Sequence, residues 1–272
     1  MKQKRKIIIS TASALILMVF SVFIANNQKI KNETVQINSN MSLSNAKIEW
    51  GIKRGDNHDQ PDLGRKNKEL IEKYNGLAMG NKDEKLIYMT FDLGYEAGYT
   101  NTILDTLREN NVKAAFFITA HYVNTSSDIV QRMINEGHII GNHTVNHKSM
   151  PSLDDKGIKE ELMNLHSSIY EKFNYEMTYM RPPKGEYSER ALNTTVKLGY
   201  TPVMWSFAYA DWDEAKQPSQ EEGIKRIVEN AHNGEIMLLH ATSKTNMEIL
   251  DTVIKQIKNM GYEFESLDEF VR

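Results

Sequence analysis

Two histidines, His143 and His147, stand with three residues between them directly after the apolar run 138–142, where a tight turn would aim both imidazoles at one point. Converging imidazoles can hold a divalent metal, although an H-x-x-x-H spacing also arises by chance and either ring could be a satisfied surface group. Asp92 ends a second apolar run, 86–91, where a carboxylate has no core role. It is a candidate general base, or else the cap of the turn before Gly94. Arg181 follows the run 177–180 and supplies a fixed positive charge able to keep a neighbouring carboxylate ionised and oriented. Pro182 and Pro183 either stiffen the loop behind it or simply punctuate it. His240 ends the run 236–239 and is a candidate general acid, the alternative being a histidine that only caps the rim. Asp211 could fix the tautomer of such a histidine and raise its pKa by pairing with the imidazolium. Trp212 beside it walls the pocket, contacts a sugar face, or packs in the core. His121 could line the same cleft and His138 reads as structural, while His58, His166 and His232 have no motif context and receive no role.

These residues are far apart in sequence, so the elements between them must bring them together. Strand-like runs occur near 86–91, 114–119, 138–142, 177–181, 201–206, 235–239 and 262–265. Between them, Ile103, Leu104 and Leu107; Ile129, Val130, Met133 and Ile134; Ile158, Leu162, Leu165 and Ile169; Ile224, Ile227 and Val228; and Leu250, Val253, Ile254 and Ile257 recur at helical spacing. Gly137, Gly199 and Gly261 each follow such a stretch, where a left-handed residue commonly ends a helix. Repeated strand–helix alternation requires parallel pairing, in a barrel or in an open doubly wound sheet. An open sheet concentrates its site at one switch point, whereas here polar islands follow five different strands. The expected fold is therefore α/β, a distorted (β/α)7-8 barrel over residues 86–272. Residues 48–85 are polar and turn-rich, with Leu70, Ile71 and Tyr74 at helical spacing, and read as an extension packed on that barrel. Residues 26–47 read as a polar linker.

With 33 basic and 36 acidic residues the net charge is −3, so nothing in the overall balance favours nucleic acid, and a neutral or mixed polymer fits better as substrate. The absence of cysteine excludes disulfides, thiol nucleophiles and thiolate metal sites. Residues 1–6 are strongly basic and precede an uncharged, mostly apolar stretch, 7–25. Nineteen residues of helix reach about 28 Å, close to the ~30 Å hydrocarbon core, with the basic flank left in the cytoplasm. We expect an uncleaved membrane anchor, since positions 21–25 offer a poor cleavage site for a secretory signal, and an extracytoplasmic location for the remainder.

Taken together, the islands at Asp92, His143/His147, Arg181–Pro182–Pro183–Lys184–Gly185, Asp211–Trp212 and His240 resemble the motifs of the polysaccharide deacetylases, the NodB-homology carbohydrate esterases of family 4. The resemblance covers residues from about 86 to 272. It implies the NodB type of distorted barrel, with Asp92 as base, His143 and His147 as metal ligands, Arg181 as partner of the base, and Asp211 as partner of the acid His240. The family pattern T-F-D-D carries a second aspartate as third metal ligand, and here that position is Leu93, which implies a weakened divalent-metal site, zinc being the expected ion. This departure, with residues 94–100 and the Glu49–Trp50–Gly51 region, is similar to the muramic acid deacetylases that form δ-lactam in the peptidoglycan of spore formers.

That resemblance implies a hydrolase acting on N-acetylmuramic acid whose peptide has been removed, freeing an amine that closes onto the lactyl carboxylate as muramic δ-lactam in spore cortex. Lys184 occupies the variable place of R-P-P-x-G and is the expected partner of the free carboxylate, with a solvated loop lysine as the alternative. The expected partners are the peptidoglycan glycan strand and, through the N-terminal segment, the membrane; the chain is expected to be a monomer. Two rival readings are an N-acetylglucosamine deacetylase acting on peptidoglycan or chitin-like glycans, and a catalytically inactive glycan-binding protein.

Overall fold

The computed structural model describes residues 43–272, of which Asn45–Arg272 form one compact unit. The expected anchor, 1–25, and most of the linker, 26–47, lie outside the described residues. Among the described residues no helix is long and apolar enough to cross a membrane.

In chain order the strands are β1 (Ile48–Glu49), β2 (Leu86–Leu93), β3 (Ala115–Ile118), β4 (Ile139–Asn142) and β5 (Tyr179–Met180). They continue with β6 (Glu186–Tyr187), β7 (Thr201–Pro202), β8 (Glu235–His240) and β9 (Glu263–Phe264). The helices are α1 (Arg65–Lys73), α2 (Thr100–Glu109), α3 (Ala120–Thr125), α4 (Ser127–Asn135), α5 (Asp155–Phe173), α6 (Glu189–Lys197), α7 (Gln220–Glu229) and α8 (Lys244–Asn259).

A parallel sheet forms in the order β7-β5-β4-β3-β2-β8, and β9 pairs with the first residues of β2. The strands read as unbroken apolar runs because both of their faces are buried. Ile87, Met89, Phe91 and Leu93 of β2 face the helices, in one core with Ile103, Leu107 and Ile254. The alternate residue Tyr88 joins Phe117, Ile139 and Ile236 in a second cluster, which fills the inside of the curled sheet. The two sheet edges meet through the segment after β7, where Phe207 bridges Met237 of β8 in parallel and the Leu238 N–H donates to the Phe207 carbonyl at 2.8 Å. This closing step divides the strand expected at 201–206. Pro202 has no N–H to donate, and the chain must then leave β5 and cross to β8.

Residues 48–85 contact the barrel at several places, among them the Leu77 N–H donating to the Pro202 carbonyl at 2.8 Å and the Gly80 N–H to the Gly234 carbonyl at 2.7 Å. β1 pairs antiparallel with β6, and the Trp50 N–H donates to the Gly185 carbonyl at 2.9 Å. Below that, Leu63, Ile71 and Tyr74 pack with Tyr187, Leu192 and Met204. Gly137, Gly199 and Gly261 have φ of +76°, +91° and +85°, the left-handed conformation that ends a helix at low cost only without a Cβ.

Candidate active site

Strand parity builds the site. Asp92 continues the inward face of β2, His240 that of β8, and the register places these two residues side by side on neighbouring strands. His143 and Arg181 lie one residue beyond the ends of β4 and β5, and Thr119 one beyond β3. They meet at the C-terminal rim, where a cavity of about 1030 Å³ is lined by Asp92, His143, His147, Lys184, Trp212 and His240 among others.

Asp92 turns into this cavity rather than onto the turn at Gly94. Its Oδ1 accepts from Arg181 Nη1 at 2.7 Å, and its Oδ2 lies 3.5 Å from His143 Nε2. Arg181 is completely buried. Its Nε donates to the Val203 carbonyl at 3.1 Å and its Nη2 to the Met204 carbonyl at 3.3 Å, while the guanidinium lies 4.2 Å from the Phe117 ring centroid and 5.7 Å from that of Trp205. Gly141 makes the Phe117 placement possible, since a Cβ there would come within 2.4 Å of the ring. Burial pushes the Asp92 carboxyl upward, but the Arg181 charge, with His143 and His240, outweighs it and holds the group below the ordinary carboxylate range. A carboxylate kept ionised while nearly dry can accept a proton from a bound water.

His240 is held by a second buried carboxylate. Asp211 Oδ1 accepts from His240 Nδ1 at 2.7 Å, and Oδ2 accepts from the His240 backbone N–H at 2.8 Å and from Asn246 Nδ2 at 2.6 Å. This leaves Nε2 directed at the cleft. Burial lowers the imidazole pKa, and the Asp211 hydrogen bond and charge more than reverse that, so the net displacement is upward. The arrangement can deliver a proton.

His143 Nδ1 donates to the Arg181 carbonyl at 2.9 Å, which fixes its tautomer and leaves the Nε2 lone pair free. His147 Nε2 lies 3.1 Å from that nitrogen. Burial depresses both rings, His147 to about 4, so both are neutral at pH 7. Two neutral nitrogens this close suit one ion at the usual bond length of about 2.0–2.1 Å. Among the described residues no group of three or more histidine, cysteine, aspartate or glutamate side chains could hold a metal. Leu93 is fully buried on the helix side of β2, away from this point.

Lys184 lies at the rim, exposed, with φ +60°, a left-handed conformation uncommon for a residue with a Cβ. Trp212 is 58% exposed and stands edge-on to His240 with ring centroids 6.0 Å apart. His121 also lines the cleft, and the Tyr95 hydroxyl donates to Glu214 across its mouth.

The profile of the family described as polysaccharide deacetylase matches residues 79–203. The peptidoglycan-N-acetylmuramic acid deacetylase PdaA of Bacillus subtilis is 40% identical over 231 residues, covering 85% of this chain and 88% of that protein. The chain is a member of the polysaccharide deacetylase family. The solved structure of Bacillus subtilis PdaA, a family 4 carbohydrate esterase, superposes with a TM-score of 0.82 at 41% identity, over 84% of this chain and 98% of that one. A peptidoglycan-N-acetylglucosamine deacetylase of Bacillus cereus is 31% identical over 193 residues, covering 70% of this chain and 90% of its own length. The deacetylase is thus a hydrolase of amide bonds on a NodB-type barrel. Enzymes of this family generally use a divalent metal.

Three further residues position the site without belonging to any of its sequence motifs. Asn246 holds Asp211, and Glu96 accepts from Thr100 and Tyr122 to fix the loop after β2. Glu161 holds the loop that carries His147. Of the three, Glu161 left a readable trace, a carboxylate on the apolar stripe of Ile158, Leu162, Leu165 and Ile169.

Proposed function

We propose that this deacetylase removes the acetyl group from N-acetylmuramic acid residues of peptide-stripped peptidoglycan, the step that leads to muramic δ-lactam in spore cortex. The observation that carries the reading is the pair of oppositely tuned groups on adjacent strands, Asp92 held ionised by Arg181 and His240 with its pKa raised by Asp211. Asp92 accepts a proton from the attacking water, whose oxygen bonds to the acetamide carbon. The Lys184 backbone N–H is the donor to the developing oxyanion, and His240 gives its proton to the nitrogen as the C–N bond breaks. The products are acetate and a free amine. A divalent metal, most simply zinc, held by His143 and His147 supplies polarisation of the carbonyl and a lowered pKa for water when bound. Trp212 forms the exposed wall against which a sugar ring packs.

Two observations favour muramic acid over glucosamine. Identity to the muramic acid deacetylase exceeds that to the glucosamine deacetylase. Lys184 is exposed and lines the cleft, where its charge is available to the lactyl carboxylate that glucosamine lacks. The protein works outside the cytoplasm as a monomer, tethered through residues 7–25 or secreted after their cleavage.

Mass spectrometry of glycan fragments after incubation with peptide-stripped and peptide-bearing peptidoglycan, with and without chelator, tests this. The expected result is loss of acetyl from stripped muramic acid, abolished by chelator, and loss of water as well places lactam closure on the enzyme. Deacetylated glucosamine would replace the substrate reading. No turnover with any divalent metal would favour a glycan-binding protein, against which stand both intact charge pairs. Lys184→Met should raise KM for denuded muramoyl glycan much more than for an N-acetylglucosamine oligomer, and equal effects would remove Lys184 from recognition.

A further inference from the structure

The loop joining β4 to α5 contains two non-glycine residues in the left-handed region, Thr144 at φ +69° and His147 at φ +54°. Such residues persist where the surroundings over-determine them. Part of the restraint is internal. Asn142 Oδ1 accepts the Thr144 N–H at 2.9 Å, and Thr144 Oγ1 accepts the His147 N–H at 3.0 Å. Outside the loop, the Arg181 and Ile118 carbonyls hold His143, and one residue holds the segment that carries His147. Glu161 Oε2 accepts the Asn146 N–H at 2.7 Å, and Oε1 accepts from Asn146 Nδ2 at 2.8 Å. Lys148 Nζ lies 3.3 Å from the same Oε1, and the Glu161 carbonyl accepts the Val145 N–H at 3.1 Å.

Residues on both sides of His147 are therefore tied to a single carboxylate. That carboxylate is 5% exposed, on a helix whose buried face is otherwise formed by Ile158, Leu162, Leu165 and Ile169. Packing alone would be served by an apolar side chain, and Glu161 is not among the residues lining the cleft, so direct contact with substrate does not account for it. The geometry points to Glu161 as the positioning residue that keeps His143 and His147 convergent and so sets the affinity of the site for a divalent metal. This rests on the metal reading proposed above. The rigid support is α5, anchored by its apolar stripe, and the carboxylate transfers that rigidity to the loop.

The test is zinc affinity of the purified protein without substrate, by competition with a chromophoric chelator, for wild type, Glu161→Gln, Glu161→Asp and Leu162→Ala, with folding checked by circular dichroism. Glu161→Asp keeps the charge and withdraws it from Asn146, so a loss there separates positioning from long-range attraction. Loss of an outer partner typically weakens metal binding by about 10–100-fold, and both Glu161 variants should fall in that range. Leu162→Ala removes apolar contacts of the same helix, leaves in place the Leu162 carbonyl that accepts from Asn142 Nδ2, and should bind zinc as wild type does. Wild-type affinity in a folded Glu161→Asp, or an equal loss in Leu162→Ala, would overturn the assignment while leaving the metal reading intact. A wild type that binds no zinc would overturn both.

Discussion

Asp211→Asn isolates what the buried carboxylate does for His240, because the side chains are nearly isosteric and only charge and acceptor capacity change. The three groups that Asp211 serves, His240 Nδ1, the His240 backbone N–H and Asn246 Nδ2, all act as donors, at 2.7, 2.8 and 2.6 Å. An amide must turn its NH2 towards at least one of them. Facing Nδ1, it also favours the neutral tautomer with its proton on Nε2. In either orientation the imidazolium loses a charge-assisted hydrogen bond, worth about 1.5–3 kcal/mol, and one pKa unit corresponds to about 1.4 kcal/mol. His240 should therefore drop by about 1–2 units, the lowering effect of burial then being opposed only by the weaker pull of the Asp92 charge. As the proposed acid, His240 acts protonated, so activity is present below its pKa and lost as pH rises through it. The alkaline limb of kcat should move down by the same 1–2 units, with kcat at neutral pH reduced roughly 10–100-fold. A kcat profile from about pH 5 to pH 9 on peptide-stripped glycan reads both effects. An alkaline limb that stays in place in a folded variant would refute the coupling of these two residues.

Arg181→Met leaves the Asp92 carboxylate buried without its cation, and equilibrium urea unfolding should show a loss of about 3–5 kcal/mol, with the acidic limb of kcat/KM moving upward as burial raises the base. His138 and His232 are each held near pKa 4 by burial. Their unfolded value is about 6.5, so the unfolded chain takes up more protons between these limits; stability is complete above pH 6.5 and falls towards pH 4, by up to about 3 kcal/mol per group. Thermal melts across that range measure it, and replacing His232 by glutamine should flatten the slope. Removing metal with chelator should abolish turnover and added zinc should restore it; full activity after exhaustive chelation would refute a metal-assisted step.

Long elements were legible because their periodicity repeats. The seven strands of the parallel sheet lie within or overlap the apolar runs read from sequence, and the buried residues of α2, α4, α5 and α8 include the expected ones except Ile134, which is half-buried. Elements with neither an apolar run nor a repeating period were not. α3 has six residues and two buried side chains, Tyr122 and Val123, too few to display a period. β1 and β6 have two residues each and exist through pairing with one another, which no local pattern announces. The site follows the same division. Asp92, Arg181 and His240 stand out because a charge terminates an apolar run. Asn246 carries no such signal, since it sits in the first turn of a helix, where a polar residue is unremarkable in sequence.

Leu93 shows how strand parity trades against ligation. Successive residues of β2 face opposite sides, so the register that gives Asp92 to the cleft gives position 93 to the helix-side core. The T-F-D-D pattern would put a second carboxylate there, but this leucine is fully buried in an apolar cluster. Its burial is worth about 1.5–3 kcal/mol. The proposed metal is then left with two imidazoles, and its hold on the site weakens. The charge pairs do not share that weakness. Arg181 is fixed by three hydrogen bonds and two rings, and Asp211 by three donors. Their orientation is set by folding rather than by occupancy, so the fields that act on water and leaving nitrogen are in place before metal or substrate arrives. On this argument zinc concentration should govern how many molecules turn over, while Arg181 and Asp211 govern how fast each one does.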